Sequence, residues 1–325
     1  MSRFSQMLAA TCLLCGLLYG LLGGPSGGVS PAYGNEALAE GEAPATTENV
    51  LHWAGCGITK KAFMVEMAAA YERHSGVKIV VDGGGATRGI RETASHAIDF
   101  GGSCRLPLGD AAGLRPHREE SGIRTVPVAW DALVVIVHKD NPVDSLSLPQ
   151  LRDLLLGRIT SWSELGGPEQ PIELHTRQGR ISGVGHTLRM LLFGDPGQDF
   201  TERAVVQKST GPLEKAVEES PWAIGVTGVS SARKRDVKML QLAGVEPSYA
   251  NIKHGRYLLY RPLYLILPLP ARDPRVEDFV RFATGIEGAR VLRDMGTVPY
   301  RDAPQLVMRQ LDELRKALTS GIERR

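Results

Sequence analysis

From Val50 onward, short apolar runs alternate with helical patterns, and glycine marks most changes of period. Val50 to Ala54 reads as a strand. Gly55-Cys56-Gly57 turns the chain, and a helix is expected near Thr59, with Phe63, Met67, Ala70 and Tyr71 spaced along one face. Gly76 ends it. Val77 to Val81 predicts a second strand, Asp82 to Thr87 a turn, Arg88 to about His96 a helix, and Ile98 to Gly101 a third strand. Parallel strands need a crossover longer than a hairpin, so this βαβαβ series implies a mostly parallel sheet covered by helices. The expected fold class is α/β.

The same alternation continues. Val126 to His138 is a long β-rich run that Trp130 and Asp131 are expected to interrupt. A helix should follow Ser147, with Pro149 in its first turn and Gly157 beyond its end. Ile172 to Leu174 leads into a loop holding Arg177, Arg180, Ser182 and Gly183, and His186 to Phe193 reads as a helix. Leu213 to Glu219 is expected to be helical, with strands at Ala223 to Val226 and Tyr257 to Leu267. Helices are expected from Pro274, from Ile286, and over Pro304 to Ile322.

The N-terminus has the pattern of an export signal. Arg3 precedes an almost wholly apolar run from Met7 to Leu22, and Ala32-Tyr33-Gly34 and Ala37-Leu38-Ala39 offer cleavage sites. The run falls short of the roughly 20 residues a spanning helix needs. Residues 1–34 are therefore expected to be a signal peptide and 35–48 a linker, with a periplasmic mature chain. Cys12 and Cys15 would leave with the signal, and the residues before them make a poor lipid-attachment site. Cys56 and Cys104 would remain, in a compartment where cysteines often pair.

A formal net charge of +2 gives no basis for binding nucleic acid or an anionic membrane, so anion recognition must come from a local site. Three loop-to-helix junctions, at 55–59, 83–87 and 182–187, carry small or hydroxyl residues. Helix starts present unpaired N–H groups and the positive end of the helix dipole, and so attract anions. No H-E-x-x-H or G-x-S-x-G motif is present, and no cofactor, metal cluster or catalytic set is expected.

At these junctions the chain resembles the periplasmic phosphate-binding proteins of ABC transporters, from about Val50 to Tyr300. The resemblance is carried by Asp131-Ala132-Leu133-Val134-Val135-Ile136-Val137 with Asn141-Pro142-Val143. It continues in Ile159-Thr160-Ser161-Trp162-Ser163-Glu164-Leu165-Gly166-Gly167, in Gly255 to Tyr264 with its Arg261-Pro262-Leu263-Tyr264, and in Gly296-Thr297-Val298-Pro299-Tyr300. It implies a type II periplasmic binding protein: two α/β lobes with mixed sheets joined by a two-strand hinge, one lobe of 49–128 plus 255–325 and the other of 129–254. It also implies a monomer that captures a small inorganic oxyanion, phosphate first, for an ABC-transporter permease, with no enzymatic step.

The family holds its anion on three loops, which correspond here to Gly55-Cys56-Gly57-Ile58-Thr59, to Gly84-Gly85-Ala86-Thr87, and to Arg177 through Arg180, Ser182 and Gly183 to Thr187. A fourth element is Gly102-Ser103-Cys104-Arg105. The ligand residues so implied are Cys56, Gly57, Ile58, Thr59, Gly85, Ala86, Thr87, Ser103, Cys104, Arg177 or Arg180, Ser182, Gly183 and Thr187, flanked by Arg88, Arg105 and His186. Cys104 stands where phosphate specialists carry Asp, Ala86 where a Ser often contacts the ligand, and the third loop is longer. Cys56 and Cys104 leave three readings open: a disulfide, thiols that take a soft ligand such as an arsenic(III) species, or reduced small hydrophobes. Sulfate, molybdate or tungstate as ligand, and a sensory rather than a transport role, stand as alternatives.

Overall fold

The computed structural model describes residues 49–109 and 115–311. The expected signal and linker lie outside these residues, as does residue 312 onward of the expected C-terminal helix, of which 305–311 are helical. No helix among the described residues is long and apolar enough to cross a membrane.

The strands are β1 (Val50–Gly55), β2 (Lys78–Asp82), β3 (Phe100–Ser103), β4 (Ile123–His138), β5 (Ser145–Leu146), β6 (Glu173–Arg177), β7 (Val205–Gln207), β8 (Ala223–Gly228), β9 (Val237–Met239), β10 (Gln241–Leu242), β11 (Tyr260–Pro268) and β12 (Val298–Pro299). Among the described residues ten of them join one mixed sheet with a main path β2-β1-β3-β11-β4-β8-β6-β7, while β12 and β9 add to β4. β1 pairs in parallel with both β2 and β3, as the βαβαβ rhythm predicted. β11 returns antiparallel between β3 and β4.

β4 is the main departure from the sequence reading. It runs unbroken for 16 residues, with no interruption at Trp130 and Asp131. Its first part, to Ala132, pairs with β11, and Leu133 to Val137 pair with β8. Asp131 thus lies beside the change of partner. Its buried carboxylate accepts hydrogen bonds at Oδ1 from the Ser230 amide (3.2 Å) and hydroxyl (2.7 Å), so a polar residue persists inside an apolar strand.

Three helix starts face the candidate site. A helical stretch after β1 runs from α1 (Gly57–Thr59) through a π turn, Lys60–Met64, into α2 (Val65–Ser75), which Gly76 ends in the left-handed region at φ 73°. α3 (Ala86–Ala94) begins two residues earlier than expected, placing Ala86 and Thr87 inside its first turn. α3 lies close on β3 because both lack side chains at the crossing: a Cβ on Gly101 would stand 2.3 Å from the Gly89 carbonyl oxygen. α4 (Leu148–Leu155) carries the Ser147/Gln150 capping box with Pro149 in its first turn. α5 (Gly183–Phe193) starts three residues before the expected His186, capped by Ser182, whose Oγ accepts from the Gly185 amide at 3.2 Å.

Candidate functional site

β1, β3 and β6 end towards one another, and each delivers a loop or helix start to the same place. Cys56 follows β1 as the cap of α1. Its Sγ accepts from the Thr59 amide at 3.3 Å and lies 3.1 Å from Thr59 Oγ1. Cys104 follows β3, which pairs in parallel with β1, so the two cysteines leave neighbouring strands on the same side. Both cysteines are buried and free, so the disulfide reading is not realised in this structure. Gly183, from the start of α5, closes over them. A Cβ built on Gly183 would lie 2.4 Å from Cys104 Sγ and 3.0 Å from Ala86 Cβ. All four expected elements therefore meet within a few ångströms, since the Cys56 amide also donates to the Gly102 carbonyl and the Gly85 amide to the Gly55 carbonyl, both at 3.1 Å. Gly183→Ala should lower stability by about 1–3 kcal/mol through overpacking, read as a shift in the denaturant midpoint, with Gly57→Ala, which adds a Cβ into open space, as the neutral control.

Two arginines face the thiols. Arg177 ends β6; its Nη1 donates to the Gln207 carbonyl at 3.1 Å, and its buried Nε has no hydrogen-bond partner. Arg261 is fully buried on β11. Its Nη1 donates to the carbonyl oxygens of Cys104 (3.3 Å) and Gly183 (3.2 Å), one from each side of the site. Its Nε and Nη2 make no hydrogen bond, and Nη2 lies 3.6 Å from Asp131 Oδ2, which is also unbonded. Asp131 balances the charge across this distance but leaves buried N–H donors without a hydrogen bond, which is costly, and an oxyanion is a group that can take them.

These charges tune the thiols. Burial raises the Cys56 pKa, but the Cys104 hydrogen bond, the Arg261 charge and Thr59 outweigh it and bring the value down to about 7. The hydrogen bond with Cys56, then burial, push Cys104 well up. Burial also raises Asp131, against the opposing pull of Arg261 and Ser230. The pair is thus polarised, with Cys56 the more acidic member.

The remaining expected residues divide by what already holds them. Arg180 is exposed and makes a forked ion pair with Asp199 at 2.6–3.0 Å, so of the two arginines left open it is Arg177 whose side chain keeps an unbonded donor and whose charge acts on the cysteines. Ser103 Oγ donates to the Arg105 carbonyl at 2.7 Å, a local turn that engages its proton. Thr87 Oγ1 donates to the Ile181 carbonyl (3.3 Å) and accepts from Arg105 Nη2 (3.1 Å), joining two loops. Thr187 Oγ1 donates to the Cys104 carbonyl at 3.2 Å. Ile58 is fully buried against the backbone at Gly228 and faces the core. Gly85, at φ 101°, caps α3 and donates its amide to the Gly55 carbonyl at 3.1 Å.

The flanking charges are likewise engaged. Arg105 is buried in a forked pair with Glu120, both contacts 2.7 Å, and donates to the Ile181 carbonyl at 2.9 Å. Arg88 pairs with Asp82 and Glu92. Burial, with Arg105 nearby, pulls His186 down to about 4, so it is neutral near pH 7 and does not supply a cation. Arg261 and Asp131 were missed as site residues. Their signal in the sequence was a charge inside an otherwise apolar β run, at Tyr257 to Leu267 and at Val126 to His138.

Residues 42–287 match the family model of the PBP superfamily domain. The phosphate-binding protein PstS of Borreliella burgdorferi is 24% identical over 250 residues, spanning 74% of this chain and 87% of its own length. The phosphate-binding protein PstS of Bacillus subtilis is 27% identical over 194 residues, spanning 58% of this chain and 60% of its own. A substrate-binding protein from Clostridium perfringens, solved with bound phosphate, matches the fold with a TM-score of 0.69 at 22% identity, over 77% of this chain and 99% of that one.

Proposed function

The chain belongs to the PBP superfamily, and on that premise we propose that it is an exported solute-binding protein that captures a small oxyanion, phosphate first, for delivery to an ABC-transporter permease. One observation carries the reading: Arg177 and Arg261 each keep buried guanidinium N–H groups without a hydrogen-bond partner, and both charges act on the cysteines where the starts of α1, α3 and α5 converge. Such a place suits a tetrahedral anion, which takes forked bonds from guanidinium and N–H donors from helix starts. The relatives named as phosphate-binding proteins support the choice of phosphate.

In this reading Arg177 clamps the anion, and the backbone at Cys56 to Thr59, at Gly85 to Thr87 and at Ser182 to Gly183 cradles it. The chain from 49 to 128 with 255 onward forms one lobe and 129–254 the other, hinged where β4 and β11 pass between them. Binding closes the lobes on the anion, and no chemical step follows. A thermal-shift panel tests the ligand. Phosphate should raise the melting temperature of the full chain by mass action at millimolar concentration, and more than sulfate or molybdate does. A panel in which no oxyanion moves the melt would remove this function.

A further inference from the structure

We propose that the Lys61–Glu214 ion pair is a latch between the two lobes, which holds the start of α1 in place over the anion and sets the rate of its release. This rests on the oxyanion and two-lobe readings above. Lys61 lies in the π turn that follows α1, in the lobe of 49–128. Its Nζ donates to Glu214 Oε2 and to Ser231 Oγ, both at 2.9 Å, across 153 and 170 residues of chain. Glu214 lies on α6 (Thr210–Glu219) and Ser231 on α7 (Val229–Ala232), both in the lobe of 129–254. π turns are rare and gather at functional sites. This one sets Lys61 two residues past Thr59, where the cradle formed by Cys56 to Thr59 ends.

Each partner is provided for without the other. Glu214 is fully buried; Thr227 Oγ1 donates to its Oε1 at 2.6 Å, and Arg235 Nε donates to its Oε2 at 3.3 Å. Thr227 and Arg235 belong to the same lobe as Glu214, so the carboxylate stays bonded when the lobes part. The Lys61 side chain is 31% exposed, and a strongly hydrated ammonium returns to water at little cost. The contact therefore breaks and re-forms with lobe movement. The Arg105–Glu120 pair differs, because both its members belong to one lobe. Beside the latch, Ile58 of α1 supplies an apolar contact: a Cβ on Gly228 would stand 2.6 Å from its Cγ2.

The consequence for binding is kinetic. The pair forms only with the lobes together, so it stabilises the bound state and adds nothing to the encounter that precedes closure. Truncating one member of such a charge pair acts on dissociation. Lys61→Met keeps an apolar stem of similar length and removes the charge. It should speed phosphate release by about tenfold and weaken affinity by the same factor, with the association rate constant within about twofold of the parent's. Lys61→Arg keeps a charge for Glu214 and should release phosphate at a rate between those two. Ser231→Ala removes only the second acceptor of Lys61 and should speed release by about twofold. Lys139→Met is the control, because it breaks an exposed 2.6 Å pair with Asp236 inside one lobe.

The test uses the full chain and inorganic phosphate. Titration reads affinity, and chase of bound radiolabelled phosphate by excess unlabelled phosphate reads release; together they give the association rate constant. Faster release from Lys61→Met at an unchanged association rate, partial recovery in Lys61→Arg and parental release from Lys139→Met support the latch. Release from Lys61→Met at the parent's rate overturns the latch alone, as does a loss of affinity carried by slower association. Release from Lys139→Met as fast as from Lys61→Met also overturns it, since the effect would then follow from any lost surface charge. A parent chain that binds no phosphate overturns the oxyanion reading and the latch with it.

Discussion

Arg177→Ala is expected to weaken phosphate binding by at least about a hundredfold, while Arg180→Ala changes it less than about twofold. Truncating a buried charged hydrogen-bond partner costs about 2–5 kcal/mol, and 2.7 kcal/mol is a hundredfold in affinity. Arg177 qualifies because its Nε is buried without a partner and its charge acts on both thiols. Arg180 does not, because its side chain is 57% exposed and Asp199 already holds it. Exposed pairs of that kind contribute about 0–1 kcal/mol, so its loss should also leave stability nearly unchanged. Arg177→Lys should restore binding only in part, since an ammonium keeps the charge but loses the fork. Equal effects of the two alanine variants would contradict the placement of the clamp.

The second large effect concerns what holds the loops. Glu120 is fully buried and accepts two 2.7 Å bonds from Arg105 and one of 2.8 Å from the Leu108 amide. Glu120→Ala leaves the Arg105 guanidinium buried without its counter-ion and should cost about 3–5 kcal/mol of folding stability. Chemical denaturation of both proteins would measure it. Arg105 also holds the Ile181 carbonyl and Thr87, so the loop before α5 should loosen and phosphate affinity should fall in the same variant. Burial alone would raise the Glu120 pKa, but Arg105, the Leu108 amide and Arg91 outweigh it and hold the value below the usual range. The sign follows from that depression. The stabilisation is present above the unfolded-state value of about 4.3 and is lost as pH falls through the folded value. Glu120→Gln should therefore melt lower than the parent at pH 7 and approach it on acidification.

Period and punctuation carried most of the fold. The glycines at 55, 57, 76 and 83–85 and the caps at Ser147 and Ser182 bracket elements that local rules can read, so β1 to β3 and α2 to α5 fell close to where they were expected. Boundaries shifted where a cap needed no side chain, as at Gly85. β4 was misjudged because Asp131 reads as a breaker, and its satisfaction comes from Ser230, 99 residues away, which no local pattern reveals. The same limit applied to the site. Arg105, Thr87 and Ser103 have the right chemistry for an anion, but tertiary partners already use their polar groups. Arg261 lies far along the chain from every expected loop, and only the return of β11 between β3 and β4 brings it to Cys104 and Gly183. The free state of Cys56 and Cys104 was not legible either, because sequence shows that two cysteines share a region and not how they meet.

Isothermal titration of phosphate into the reduced full chain at pH 6 is the most direct measurement. The proposed clamp by Arg177 at the starts of α1, α3 and α5 predicts saturable binding of one anion per chain, with Arg177→Ala abolishing the heat over the same range. Absence of saturable binding by the parent chain, or a titration unchanged in Arg177→Ala, would contradict the proposed oxyanion site at these helix starts.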